Sequence, residues 1–236
     1  MTKHSKQYIA KTQLIDADKA YDLEEAVTLL KQSATAKFDE TVELHIKTGA
    51  DPRHAEQLVR GVALLPHGLG RDIRVLVFGN GETATNAQAA GADYVGDDEL
   101  IEKINGGWLG FDVAISTPDM MGKIGKLGRV LGRRGLMPNP RTGTVVQTQD
   151  IARAVGEAKM GRVEFRMDRS GIIHVPIGKA SFDDEKLTEN LKSLVDIIMR
   201  SRPSALKGQF MRTAFLSSTM GPSIKLDVSK LSVIAV

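Results

Sequence analysis

The sequence predicts a chain that is part α/β and part α+β: a two-layer α+β domain formed by both ends, with a three-layer α/β domain inserted into it. Three observations carry this. Strands and helices alternate between about Asp72 and Met160, the pattern of a small parallel sheet with helices on both faces. The flanks instead hold half-buried strands in which apolar and polar residues alternate. Neither flank, 1–67 or 160–236, offers a generous core by itself. The two are therefore expected to fold together around an insert spanning 68–159.

The elements follow in order. A helix over Asp22–Gln32 opens with a capping box, Asp22 followed three residues later by Glu25. Val42, Leu44 and Ile46 alternate with Glu43, His45 and Lys47 as a half-buried strand. In the insert, Ile73–Phe78 is a buried strand, and GNGE turns into an alanine-rich helix ending near Gly91. A short strand (DYV) and a helix from Asp97 to Ile104 come next, its first-turn acids suiting the helix dipole. Phe111–Ile115 is another buried strand. A helix from about Thr148 to Lys159 closes the insert, with Ala152, Val155 and Ala158 or Lys159 at helical spacing. Beyond it, Val163–Met167 and Ile172–Ile177 flank Asp168-Arg169-Ser170-Gly171 as a hairpin. Leu187, Leu191, Leu194, Val195 and Ile198 mark a long amphipathic helix after Ser181. Strands around Phe210–Ser217 and Ile224–Val228 are joined by STMGP. The crossings LPHGLG (65–70) and KMGR (159–162), with Gly68, Gly70 and Gly161, read as a hinge.

Composition bounds the function. Hydrophobic residues at 42% and charged residues at 26% are ordinary for a soluble globular chain. With no cysteine there is neither a disulfide framework nor a thiolate metal site, which suits a reducing cytoplasm. The opening MTKHSKQYIAKTQ lacks the apolar segment of a secretory signal. No apolar run approaches the ~18 residues that span a bilayer. A cytoplasmic protein with no membrane partner is expected.

Charge is distributed unevenly. Residues 122–143, GKIGKLGRVLGRRGLMPNPRTG, hold six glycines, six bases and no acid. The bases are Lys123, Lys126, Arg129, Arg133, Arg134 and Arg141. From Asp119 to Arg166 there are ten bases against four acids, a net of +6, which leaves −3 for the rest of a chain whose total is +3. Regular glycine weakens a helix, so the segment is expected as a loop-rich surface whose backbone a ligand can approach closely. Six cations without a counter-ion in the segment call for a polyanion, and a nucleic-acid backbone is the natural partner. The competing reading is a solvated basic loop.

Catalysis finds little support. There is no GxSxG elbow and no HExxH pair, and the five histidines (4, 45, 54, 67, 174) lack metal-ligand spacing. His45 and His174 each lie in a strand pattern as packed or surface residues. Acids at 97–99 and 183–185 sit where helix starts explain them. Gly79-Asn80-Gly81-Glu82-Thr83-Ala84 matches a dinucleotide fingerprint after a strand, in a Rossmann-like insert. Against it, Glu82 would face the pyrophosphate, and an ordinary βα turn explains the same residues. No cofactor is expected. A nucleotide-binding α/β enzyme built on this turn is the alternative function, and a protein-interaction scaffold is a third.

Five separated blocks carry a resemblance. GRVLGRRGLMPNPRTGTV, KFDETVEL (37–44), RGVALLPHGLGR (60–71), VEFRMDRSGIIHVPIGKASF (163–182) and SSTMGPSIKLD (217–227) are similar to the L-one family of bacterial large-subunit ribosomal proteins, over essentially the whole chain. The chain departs from the family pattern at Arg133, where Pro is usual, and at Arg141, where Lys is usual. The first change is expected to loosen the turn and add a charge.

The resemblance implies an architecture like the one above, binding to the stalk region of large-subunit rRNA, and a mobile stalk that assists release of exit-site tRNA. It also implies repression of the protein's own operon mRNA, assembly into the ribosome, a monomer when free, and neither catalysis nor a cofactor. The implied specific contacts lie on the first domain, at Lys37, Phe38, Thr41, Arg166, Arg169, Ser218, Thr219, Met220 and Gly221. Thr219 would offer a hydroxyl, Met220 an adaptable apolar face and Gly221 a bare backbone. The basic segment of the second domain would supply a more electrostatic grip.

Overall fold

A computed structural model describes residues 5–234; His4 lies outside them. In chain order the elements are α1 (Lys6–Thr12), α2 (Leu23–Ser33), β1 (Thr41–Thr48), β2 (Arg60–Leu64), β3 (Val75–Phe78), α3 (Gly81–Ala89), β4 (Tyr94–Gly96), α4 (Asp98–Asn105) and β5 (Val113–Ser116). Then come α5 (Met121–Ile124), α6 (Gly128–Arg133), α7 (Ile151–Met160), β6 (Arg162–Arg166), β7 (Ile172–Lys179), α8 (Asp184–Arg200), β8 (Met211–Ser218), β9 (Ile224–Leu226) and α9 (Val228–Ile234). The chain is a mixed α/β protein with two compact units. One runs to Gly70 and resumes at Val163; the other is Arg71–Arg162.

The units meet after Gly70 and after Arg162, each three residues later than the sequence placed the crossing, and side chains account for the first. Buried Asn190 of α8 accepts from His67 N at 3.0 Å and donates to the Gly68 carbonyl at 3.0 Å. A Cβ at Gly70, whose φ is +69°, would lie 2.6 Å from a Phe182 ring carbon. Gly68 and Gly70, read as hinge residues, are thus pinned to the first unit.

In the first unit a four-stranded sheet has the order β7-β1-β8-β9. Alternation along β1 sends Val42, Leu44 and Ile46 into the core, with Ala214 and Leu216 of β8 and Ile173 and Val175 of β7. The helices α2 and α8 contribute Ala26, Val27, Leu30, Leu187, Leu191, Leu194, Val195 and Ile198, all without exposure. Glu43, His45 and Lys47 point to the other face. Asp22 caps α2 through the Leu23 N–H at 2.9 Å, whereas Glu25, the other half of the expected capping box, pairs with Lys19.

The expected 163–177 hairpin is corrected. The chain does reverse at Asp168, whose carboxylate accepts from Ser170 N and Ile172 N, both at 2.8 Å, with Gly171 at φ +76°. Only an isolated Met167–Ile173 bridge joins the two arms. β6 leaves to pair with β2, a strand the sequence reading did not assign, while β7 pairs antiparallel with β1.

The second unit has the parallel sheet β4-β3-β5. All four residues of β3 are buried, so the sheet is covered on both faces. Leu76 and Phe78 pack with Leu100, Ile101 and Ile104 of α4 and with Met120, Ile124, Leu127 and Leu131. Along α7 the buried stripe is Ile151, Ala154, Val155 and Ala158, while Ala152 and Lys159, expected on it, face solvent.

Candidate nucleic-acid interface

A groove of about 560 Å³ on the first unit gathers Lys37, Phe38 and Met220 with Tyr8, Lys11 and Ser33. Phe38 is 56% exposed and Met220 60% exposed, an unusual placement for large apolar side chains. The residue that builds this surface is Glu40, which sequence reasoning missed. It is 1% exposed, yet it accepts four hydrogen bonds. Its Oε1 takes Thr35 N (2.9 Å) and Ala36 N (2.8 Å); its Oε2 takes the Ser218 hydroxyl (2.6 Å) and Met220 N (3.0 Å). One carboxylate therefore ties the loop bearing Lys37 and Phe38 to the turn bearing Met220. Burial pushes its pKa up, but the four donors outweigh burial and hold it below the ordinary glutamate range.

The expected site residues consequently divide by task. Ser218 is buried, with its hydroxyl committed to Glu40. The Thr219 hydroxyl accepts from Thr41 N at 3.0 Å and joins the ends of β1 and β8, so much of its capacity is spent internally. The Thr41 hydroxyl accepts from Lys179 Nζ at 3.0 Å. Gly221 is required within the protein itself, since a Cβ there would lie 2.4 Å from Ser218 Oγ. Phe38, Met220 and Lys37 are what the surface presents outward. Arg166 lies on β6, in the other sheet, and Arg169 lies in the 168–171 turn beside Lys47, at the far end of β1. The structure does not gather these two arginines with Met220.

The basic segment belongs to the second unit, and the expected loop is corrected. Residues 118–133 form successive helical turns, with α5 and α6 linked by a 3₁₀ turn at Gly125–Leu127. Met120, Ile124, Leu127 and Leu131 recur at helical spacing and are buried; packing overrides glycine's weak propensity. Gly122, Gly125, Gly128 and Gly132 have open space where a Cβ would stand. At Arg133, where a looser turn is expected, the chain is helical and regularly capped. Arg133 ends α6, and Gly135 (φ +70°) closes it with Gly135 N to Gly132 O and Leu136 N to Leu131 O, a Schellman turn.

Lys126, Arg129, Arg133, Arg134 and Arg141 are exposed, and none of them has an ion pair among the described residues. Lys123 differs: it bridges Asp97 and Asp98 at about 3 Å, which raises its pKa. The missing counter-ions lie outside the segment, at the start of α4. Arg141 sits on a fixed turn, its N–H donating to Asn139 Oδ1 at 2.8 Å, with Gly143 left-handed.

Two other features bear on the alternative functions. Asn80 stands at the N-cap position of α3 without a side-chain cap hydrogen bond, and Gly79 packs on Thr83, where a Cβ would meet Cγ2 at 2.0 Å; the turn is an ordinary close-packed βα connection. His45 and His174 face each other across β1 and β7, Nδ1 to Nδ1 at 2.8 Å, and burial, with the charge of His174, lowers the pKa of His45. No group of three or more potential ligands is arranged to hold a metal among the described residues, and no helix among them is long and apolar enough to cross a membrane.

Comparison with known proteins adds the family. The model of the ribosomal protein L1p/L10e family matches residues 30–222. A protein of Dehalococcoides mccartyi named large ribosomal subunit protein uL1 is 56% identical over 232 residues, covering 98% of each chain. A protein of Fervidobacterium nodosum with the same name is 58% identical over 233 residues, again 98% of each.

Proposed function

The chain belongs to the ribosomal protein L1p/L10e family, and from that premise we propose that it is a structural, non-enzymatic constituent of the large ribosomal subunit that binds the stalk region of large-subunit rRNA. The observation that carries this reading is the outward placement of Phe38 and Met220 beside Lys37, on two loops held by buried Glu40. Exposed apolar side chains on a rigid base suit stacking against unpaired bases and riboses, the way folded RNA is usually read. The first unit, as a two-layer α+β domain, supplies this specific surface. The second, as the inserted three-layer α/β domain, adds Lys126, Arg129, Arg133, Arg134 and Arg141 as phosphate contacts.

On the same reading the protein works in the cytoplasm within the ribosome, is a monomer when free, assists exit-site tRNA release, and represses its own operon mRNA through a site resembling the rRNA one. Titration of a stalk rRNA fragment, with and without Phe38→Ala and Met220→Ala, tests the core of this proposal. Loss of affinity at constant salt slope is expected. Wild-type affinity in both variants would remove the surface from the account. Repression is tested separately, by translation of a reporter behind the operon leader with added protein.

A further inference from the structure

At the opposite end of the first unit's sheet from Phe38 and Met220 lies a second cleft, of about 340 Å³, that the proposed function leaves unused. Three chain segments bring four cations to it: Lys47 near the end of β1 with Arg53 in the turn that follows, Arg169 in the 168–171 turn, and Arg212 at the start of β8. The three arginines are exposed, and none has a carboxylate partner among the described residues. Asp51, the acid of the cleft, offsets one of these four charges and leaves an excess of three. Its Oδ1 accepts from Arg53 N at 2.9 Å, and its Oδ2 lies 4.0 Å from His54 Nε2. Lys47 Nζ donates to the Ser170 carbonyl and so fixes the turn that carries Arg169. Gly49 lets the chain pack closely on the 209–212 segment; a Cβ there would lie 2.3 Å from the Gln209 carbonyl oxygen and 3.4 Å from Arg212 Nε.

Like charges brought together from three segments repel one another, and an anion between them removes the penalty. The lining also says which kind of anion. Its apolar contribution is limited to Ala50 and Pro52, too little to seat the side chains of an acidic peptide. Guanidinium forks match phosphate oxygens two at a time. We propose that this cleft grips the phosphate backbone of a second RNA segment, separately from the surface at Phe38 and Met220. The seven residue steps from Thr41 to Thr48 put the two about 23 Å apart at roughly 3.3 Å per residue. The proposal rests on the RNA-binding reading for its class of partner, but not on the identity of the RNA held at the first surface.

The test uses full-length protein in which Lys126, Arg129, Arg133, Arg134 and Arg141 are changed to Gln, so that the other basic face is silent. It is saturated with a stalk rRNA fragment, and a labelled RNA duplex of unrelated sequence is titrated in at several salt concentrations. The duplex is expected to bind without displacing the fragment. Adding Arg53→Gln, Arg169→Gln and Arg212→Gln should weaken the duplex at least tenfold. It should also flatten the log–log salt dependence by about 0.9 for each phosphate no longer neutralised, while melting temperature holds and fragment affinity is unchanged in the Arg53→Gln, Arg212→Gln double variant. Duplex binding untouched by the three changes would overturn the proposal, as would displacement of one RNA by the other. Tighter binding of polyglutamate than of the duplex at equal salt would overturn it in favour of an acidic protein partner. If the fragment itself fails to bind but the duplex still depends on the three arginines, the stalk assignment falls and the cleft survives.

Discussion

Replacing Glu40 tests the internal logic of the first surface. Its carboxylate takes three backbone N–H groups and one hydroxyl from two loops, at 2.6–3.0 Å, while 1% exposed. Hydrogen bonds to a charged group contribute about 1.5–3 kcal/mol each, and burial of the charge opposes part of that sum. Glu40→Ala strands several donors at once and is expected to cost about 3–5 kcal/mol, as for other broken buried charge networks. Against a total stability of roughly 5–15 kcal/mol that variant is marginal, so Glu40→Gln is the sharper probe. Its amide oxygen can keep Thr35 and Ala36, but its NH₂ then confronts the Met220 N–H. The expected cost is about 1–3 kcal/mol, with a melting temperature lower by roughly 2–4 °C per kcal/mol. RNA affinity should fall at least about tenfold, or ~1.4 kcal/mol, because Met220 and Phe38 lose their common post. The pH dependence has a definite sign. Since the folded-state pKa is depressed, the unfolded chain binds the proton first. The stabilisation is therefore full above the ordinary glutamate range and is lost as pH falls below it. Chemical denaturation of the two proteins should show a gap that is constant near neutrality and closes in acid. A Gln variant with wild-type melting and RNA affinity at pH 7 would refute the reasoning.

Other substitutions separate the remaining claims. Phe38→Ala and Met220→Ala should leave melting within about 0.5 kcal/mol of wild type, as surface changes do, yet weaken RNA by about 1–3 kcal/mol in a binding titration. Gly221→Ala should lower the melting temperature by calorimetry, because its Cβ would fall 2.4 Å from Ser218 Oγ and disturb the hydroxyl that Glu40 uses. Gly132→Ala, with open space around it inside α6, should do the reverse and stabilise by about 0.5–1 kcal/mol; destabilisation would argue for the loop that the glycines suggested. Neutralising Lys126, Arg129 or Arg134 should flatten the salt dependence of RNA binding by up to about one unit each. Lys123→Gln should change it less, since Asp97 and Asp98 already hold that charge.

What was legible in the sequence follows periodicity. The β1 alternation and the Leu187–Ile198 stripe emerge as read, because one buried face enforces one spacing. The basic segment reads as a loop only when local propensity is set above spacing: Met120, Ile124, Leu127 and Leu131 carry the helical period, and Gly122, Gly125, Gly128 and Gly132 oppose it. β2 and the parting of β6 from β7 depend on long-range pairing, which turn chemistry at 168–171 does not reveal. Within the candidate site, Thr219, Met220 and Gly221 were picked out by resemblance, yet their division of labour was not visible. Glu40 was hidden by its type, since a lone glutamate before a strand reads as a solvated residue, and only tertiary structure shows its four donors. Lys47, Arg53 and Arg212 were equally silent, being 6 to 165 residues apart in the sequence and brought together only by the register of β1 with β8 and the neighbouring turns.

The most direct test of the central claim is a chemical footprint of this protein on its own large-subunit rRNA, made with wild type and with the Phe38→Ala, Met220→Ala double variant at two salt concentrations. The account predicts protection confined to the stalk region. In the double variant, protection of exposed bases should disappear at both salts, while backbone protection dependent on Lys126, Arg129 and Arg134 persists at low salt. Base protection that survives the double variant, or a wild-type footprint outside the stalk, would contradict it.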